Sequence, residues 1–173
     1  MNILLLFLYG SFSVFTLLFL IIMIESLLRG HDLPTNSKTT ESICKIISEY
    51  KREASNFYDL GCARGALAIR IKRRFPNLSV YAFDNSGIRI VCAKLRALLV
   101  RADIRFAQEN IFDVDLGNSD IVYTYLWYDT MPLLEKKLQK ELKKGALVIA
   151  NTSHFPNWEP IKQIETLFIY RKT

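Results

Sequence analysis

The chain has 173 residues, 50% of them hydrophobic and 23% charged, with 23 Lys and Arg against 17 Asp and Glu for a net charge of +6. That length suits one globular body, and the composition excludes a disordered chain, a repeat array and a multi-domain enzyme. The apolar excess is concentrated at one end: no residue between Ile3 and Ile24 carries a charge, and no second run of that kind follows, which excludes a polytopic transporter.

As a helix, the stretch from Ile3 to Ile24 is about 33 Å long, against about 30 Å for the hydrocarbon core of a bilayer. A cleaved signal peptide would show a cationic start, a shorter apolar run and small residues at a cleavage site. None of these is present, so the sequence predicts a retained transmembrane anchor over residues 1–29. Arg29, Lys38, Lys45, Lys51 and Arg52 all follow the span, and the excess of cations there predicts a body on the cytoplasmic side of the membrane. Residues 30–36, which include Gly30 to Thr35 (GHDLPT), read as a polar hinge to a domain over 37–173.

In the body, helical and strand patterns alternate. Ile43, Ile46, Ile47 and Tyr50 have the spacing of an amphipathic helix over Ser37 to Arg52, and Asn56 to Leu60 reads as a strand ending at Gly61. A helix from Ala66 to Phe75 is stopped by Pro76-Asn77, and a strand from Leu78 to Phe83 follows. The next helix spans Gly87 to Arg101, with Ile88, Cys92, Leu95 and Leu99 expected to face inward. Strands follow at Ile104 to Ala107 and Ile121 to Trp127, then a helix at Leu133 to Lys144 with Gly145 as its expected cap. Ala146 to Asn151 is a fifth strand, and Leu167 to Arg171 a last, antiparallel one. This alternation predicts an α/β fold: a Rossmann-like, mostly parallel sheet with helices on both faces, preceded by one transmembrane helix. Three cysteines (Cys44, Cys62 and Cys92) with no C-x-x-C pair suggest neither a disulfide framework nor a zinc site, and are read as buried free thiols in a reducing compartment.

In such a sheet a ligand lies beyond the carboxyl ends of the strands. The residues there are Asp59 to Gly65, Phe83 to Ser86, Ala107 to Phe112, Tyr125 to Asp129 and Asn151 to Trp158. Gly61 can take a tight turn, and Gly65 lets backbone approach a ligand. Asp84 ends the second strand, where a carboxylate can accept both hydroxyls of a ribose, with Asn85 beside it. A dinucleotide site would need G-x-G-x-x-G, whereas here the spacing is G-x-x-x-G behind Asp59.

An acid followed by x-G-x-x-x-G resembles the class I methyltransferases that use S-adenosyl-L-methionine. Further on, Leu134-Glu135-Lys136-Lys137-Leu138, Glu141-Leu142, Val148-Ile149-Ala150 and Phe155-Pro156-Asn157-Trp158-Glu159-Pro160, with Pro34, Ser37, Lys38 and Glu41 ahead of the loop, are similar to the ATP synthase c-subunit lysine N-methyltransferase family and its prokaryotic relatives. The resemblance implies that Asp59, Gly61, Cys62 and Gly65 wrap the methionine part of the cofactor and that Asp84 and Asn85 hold the ribose. Glu109, Asn110 and Ile111 would then meet the adenine. The family usually has Gly where this chain has Ala63, Asp where it has Arg64 and Asn110, and Val-Pro where it has Trp127-Tyr128.

Methyl transfer from a sulfonium needs no metal and no nucleophilic side chain from the protein, only alignment of donor and acceptor and exclusion of water. A lysine acceptor must be neutral, which an aromatic channel favours. Tyr125, Trp127, Tyr128 and Phe155 are the expected channel, with Asp129 or a phenol oxygen to take the proton. The expected partners are a membrane-associated protein substrate and the lipid bilayer, the latter through the N-terminal helix. No nucleic acid is expected: no Asn-Pro-Pro-Tyr type tetrapeptide follows the fourth strand, and Lys72, Arg73, Arg74, Lys94, Arg96 and Arg101 are read as solvated helix faces near an anionic bilayer. His154 is read as a solvated loop residue. The rival readings are a silent membrane-tethered scaffold of the same fold and a methyltransferase for a lipid or small amphiphile.

Overall fold

The computed structural model describes residues 3–29 and 34–173. The chain divides into two compact units, Met1–Leu33 and Pro34–Thr173. The first holds helix α1 (Ile3–Arg29), whose stretch Ile3–Ile21 is long and apolar enough to cross a membrane and is 0% buried. Residues 30–33 of the expected hinge, with His31, lie outside the described residues.

The second unit runs α2 (Ser37–Tyr50), β1 (Asn56–Leu60), α3 (Ala66–Arg74), β2 (Ser79–Asp84), α4 (Gly87–Leu99), β3 (Arg105–Gln108), β4 (Ile121–Thr124), α5 (Met131–Glu141), β5 (Leu147–Asn151), β6 (Lys162–Ile164) and β7 (Leu167–Arg171). The strands form one seven-stranded sheet in the order β3-β2-β1-β4-β5-β7-β6. The first five pair in parallel, and β7 is antiparallel to both β5 and β6. This is the predicted α/β architecture. Strand order reverses between β1 and β4, which opens a crevice above their carboxyl ends.

Local chemistry explains the elements. The Asn36 side chain caps α2 by accepting from the Thr39 amide at 2.8 Å, and Ser86 caps α4 through the Arg89 amide at 3.3 Å. β1 is buried on both faces and divides its side chains by the strand period. Phe57 enters the core under α2, α3 and α4, with Ile43, Ile71, Ile90 and Ala93. Tyr58 and Leu60 enter the other core, with Leu134 and Leu138 of α5.

Several elements depart from expectation. The inward face of α4 is Ile90, Ala93 and Ala97, whereas Ile88, Leu95 and Leu99 are exposed and Cys92 is half-buried. β4 ends at Thr124, three residues earlier than predicted, because the next residues leave the ladder for a 3₁₀ turn at Tyr128–Thr130. α5 begins at Met131 and ends at Glu141, capped at Leu142; Gly145 (φ 81°) makes the turn into β5, where its amide donates to the Lys172 carbonyl at 2.8 Å. The strand β6 has only three residues and no apolar alternation to announce it. Of the cysteines, Cys62 is buried and Cys44 and Cys92 are half-buried.

Candidate active site

The crevice is built around two acids on adjacent strands. Asp59, four residues into β1, is 2% exposed, and its Oδ2 is buried without a hydrogen-bond partner. Burial, reinforced by the charge of Asp84 and opposed by the Ala68 backbone amide, pushes the Asp59 carboxyl up from 3.8 to about 7. A buried acceptor left open in this way is costly unless something else satisfies it.

Asp84, the last residue of β2, is 5% exposed and bound to backbone through both oxygens. Its Oδ2 accepts from the Ala63 amide and its Oδ1 from the Ser86 amide, both at 2.9 Å. One carboxylate thus ties the turn after β1 to the entrance of α4, with lone pairs to spare for a ligand. The turn is fixed from below as well: the amides of Gly61 and Cys62 both donate to the Phe83 carbonyl, at 2.9 and 2.8 Å, and the Gly65 amide donates to the Cys62 carbonyl at 2.8 Å.

Gly65 is required at its position by both backbone and space. Its φ is +70°, and a Cβ there would lie 2.8 Å from the Phe106 ring and 3.0 Å from the Ala93 methyl. Ala63 also sits in the left-handed region, at φ 48°, so the methyl at this place carries strain that a glycine would not.

The third strand contributes mainly backbone. The Glu109 amide donates to the Asp84 carbonyl at 3.1 Å, and Gln108 Nε2 donates to the Asn85 carbonyl at 3.3 Å. Asn110 Oδ1 accepts from the Phe112 amide at 3.1 Å, a turn that an Asp would close equally well. Asn85 and Asn110 are exposed, while Ile111 is half-buried against the α5-side core.

Beyond β4 the aromatic residues separate. Trp127 and Tyr128 are 71% and 53% exposed on the 3₁₀ turn, with Asp129 exposed beside them. The exposed His154 ring meets the Tyr128 ring edge-on at 5.5 Å. Tyr125 is half-buried against the helix-covered core. Phe155 is 2% exposed, packed on Trp158 and Tyr170, and so belongs to the core rather than to a channel wall.

Several residues at the crevice were not singled out from the sequence. The Tyr123 hydroxyl shares a 2.8 Å hydrogen bond with Thr35 Oγ1 and accepts from Asn151 Nδ2 at 3.2 Å. Arg70 Nη1 donates to the Thr35 carbonyl at 3.1 Å, which binds the segment before α2 to this end of the sheet. Burial holds the Tyr123 phenol well above its usual range. Thr124 Oγ1, at the end of β4, is a second buried oxygen without a partner. The available signal was a phenol inside an apolar strand, since a buried Tyr hydroxyl needs a partner.

The model of the ANTKMT methyltransferase domain matches residues 59–162, from the first acid to β6. The chain belongs to this family. It is a class I methyltransferase that depends on S-adenosylmethionine. It is 25% identical over 135 residues to a protein-lysine N-methyltransferase of Saccharolobus islandicus, a match covering 77% of this chain and 83% of that one. It is 27% identical over 146 residues to a release factor glutamine methyltransferase of Flavobacterium psychrophilum, of which it spans 46%. An RNA methyltransferase from Salinibacter ruber, solved with S-adenosylhomocysteine, has the same fold, with a TM-score of 0.72 at 21% identity over 82% of this chain and 93% of the other.

Proposed function

We propose that this methyltransferase acts on a lysine ε-amine of a membrane-associated protein, from the cytoplasmic side of a membrane in which α1 anchors it. The observation that carries the acceptor class is the exposed aromatic pair Trp127 and Tyr128 on the turn after β4. A lysine has an ordinary pKa of about 10.4 and must lose its proton before it can attack. Exposed aromatic faces hold an incoming ammonium and the apolar stem of its side chain, and Asp129 on the same turn takes the proton on toward solvent. The similarity to the protein-lysine N-methyltransferase of Saccharolobus islandicus, over most of both chains, supports this reading.

The cofactor side fits S-adenosylmethionine on the chemistry of its own residues. The open Oδ2 of Asp59 suits a cationic amine, and the turn through Gly61, Cys62 and Gly65, left-handed at both glycines and at Ala63, lets the main chain lie close to the methionine part. Asp84 and Asn85 take the ribose, and Glu109, Asn110 and Ile111 border the adenine. When bound, the cofactor supplies a methyl group activated on a sulfonium. The remaining work of the chain is to hold the acceptor amine in line and keep water out. The anchor reading is supported by the length and composition of Ile3–Ile21 and by the cations that follow it. Confinement to one surface raises the effective concentration of a membrane-protein acceptor.

The test is to incubate the full chain with methyl-labelled S-adenosylmethionine and detergent-solubilised membrane protein, then to map the label by mass spectrometry. Methylated lysine supports the proposal. Label confined to lipid overturns the acceptor class, and a chain that binds the cofactor but transfers nothing would make it a scaffold.

A further inference from the structure

Helix α4 turns its larger apolar side chains away from the sheet. Only Ile90, Ala93 and Ala97 are buried, while Ile88, Val91, Leu95, Leu98 and Leu99 are 37%, 56%, 56%, 74% and 83% exposed. Their spacing of three and four puts them on one stripe along the outer face. Apolar residues scattered singly on a surface need no explanation, but a continuous row marks a surface that something covers.

The charges on α4 itself are all basic, and the first acid after it is the exposed Asp103. α4 has no acidic residue; Lys94 and Arg96 are exposed on it, and Arg101 is exposed just past its end. Arg96 donates to the Arg64 carbonyl at 2.9 Å, which keeps a guanidinium alongside the helix.

We propose that the outer face of α4 lies in the headgroup boundary of an anionic bilayer, with the stripe from Ile88 to Leu99 among the upper acyl chains and Lys94, Arg96 and Arg101 among the lipid phosphates. The inference rests on the reading of α1 as an anchor, and two arguments favour lipid over a second copy of the chain. A two-fold contact through this face would set the same cations against each other, whereas anionic headgroups complement them. The seven residues between Arg29 and Ser37 reach at most about 25 Å when extended, so an anchored chain keeps its catalytic unit beside the bilayer. Apolar rows with basic flanks are the pattern of helices that lie in the interface. α4 starts three residues after Asp84, so docking on this face would hold the cofactor end of the crevice against the membrane surface, where a lysine of a membrane protein emerges.

The experiment places the full chain in phosphatidylcholine vesicles containing phosphatidylglycerol and reads tryptophan emission. Leu98→Trp reports the stripe, Lys136→Trp reports the exposed side of α5 on the other face of the sheet, and the parent chain supplies the background of Trp127 and Trp158. Both substitutions are at exposed positions and leave the core intact. The emission added by Leu98→Trp should shift to the blue, be mostly lost with brominated lipid and resist acrylamide, with the reverse pattern for Lys136→Trp. Equal quenching of both by acrylamide overturns the proposal. Shielding of Leu98→Trp that ignores brominated lipid and grows with protein density also overturns it, in favour of a second copy. Alkaline extraction tests the anchor separately: a chain released from the membrane refutes the reading of α1, whereas a chain that stays while Leu98→Trp remains in water refutes only the role of α4.

Discussion

Replacing Asp59 by Asn changes one buried oxygen for an amide and removes a charge the fold tolerates poorly. The Asp59 carboxyl stands at about 7 in the folded protein against an ordinary 3.8, because it is buried and faces Asp84. Between those two values the folded chain keeps a proton that the unfolded chain has released. Stability is therefore fully present below about pH 4 and falls as pH rises toward 7. About three pH units at about 1.4 kcal/mol each sets an upper bound of about 4 kcal/mol on this loss. For a chain of this size that is about 10 °C in Tm. Thermal unfolding of the full chain in mild detergent, without cofactor, should show the parent losing Tm between pH 4.5 and pH 8 and Asp59→Asn losing much less. Calorimetry with S-adenosylmethionine at pH 6, in buffers of different ionisation enthalpy, should show proton release on binding to the parent and none to the variant. If parent and variant lose stability in parallel across this range, the buried-acid argument is wrong.

Asp84→Ala should weaken S-adenosylmethionine binding roughly tenfold to a hundredfold, from charged hydrogen bonds of roughly 1.5–3 kcal/mol, and unchanged affinity in calorimetry would remove the ribose assignment. Gly65→Ala should cost about 2–4 kcal/mol in unfolding experiments, combining a left-handed backbone with a methyl driven into Phe106 and Ala93. Ala63→Gly should be stabilising by up to about 1 kcal/mol, since φ 48° suits glycine; a clear loss of stability would mean that the methyl makes contacts outweighing the strain. Trp127→Ala with Tyr128→Ala should lower kcat/KM for a protein acceptor about tenfold or more while leaving cofactor affinity alone, because both side chains are exposed and neither takes part in the hydrogen bonds of Asp84. An equal loss of cofactor affinity would place them on the cofactor instead.

The alternation of strands and helices was legible because each element carries its own period, and the turn after β1 was legible because Asp59, Gly61, Gly65 and Asp84 are types that such a turn and its ligand require. These are local facts, written within a few residues of each other or at one fixed interval. The inward face of α4 was not of that kind. Both sides of the helix carry apolar residues, so periodicity could not choose between Ile88-Cys92-Leu95-Leu99 and Ile90-Ala93-Ala97. The small residues face inward because the helix comes so close to the turn before α3 that a Cβ on Gly65 would lie 3.0 Å from Ala93. The larger side chains are left outside. Tyr123 shows the same limit: its hydroxyl meets Thr35, 88 residues earlier, and Asn151, 28 residues later. Single residues and their spacing determined the class of fold and the turns that border its crevice. How closely the layers pack decided which faces are buried, and the folded chain alone brings together polar groups that lie far apart along it.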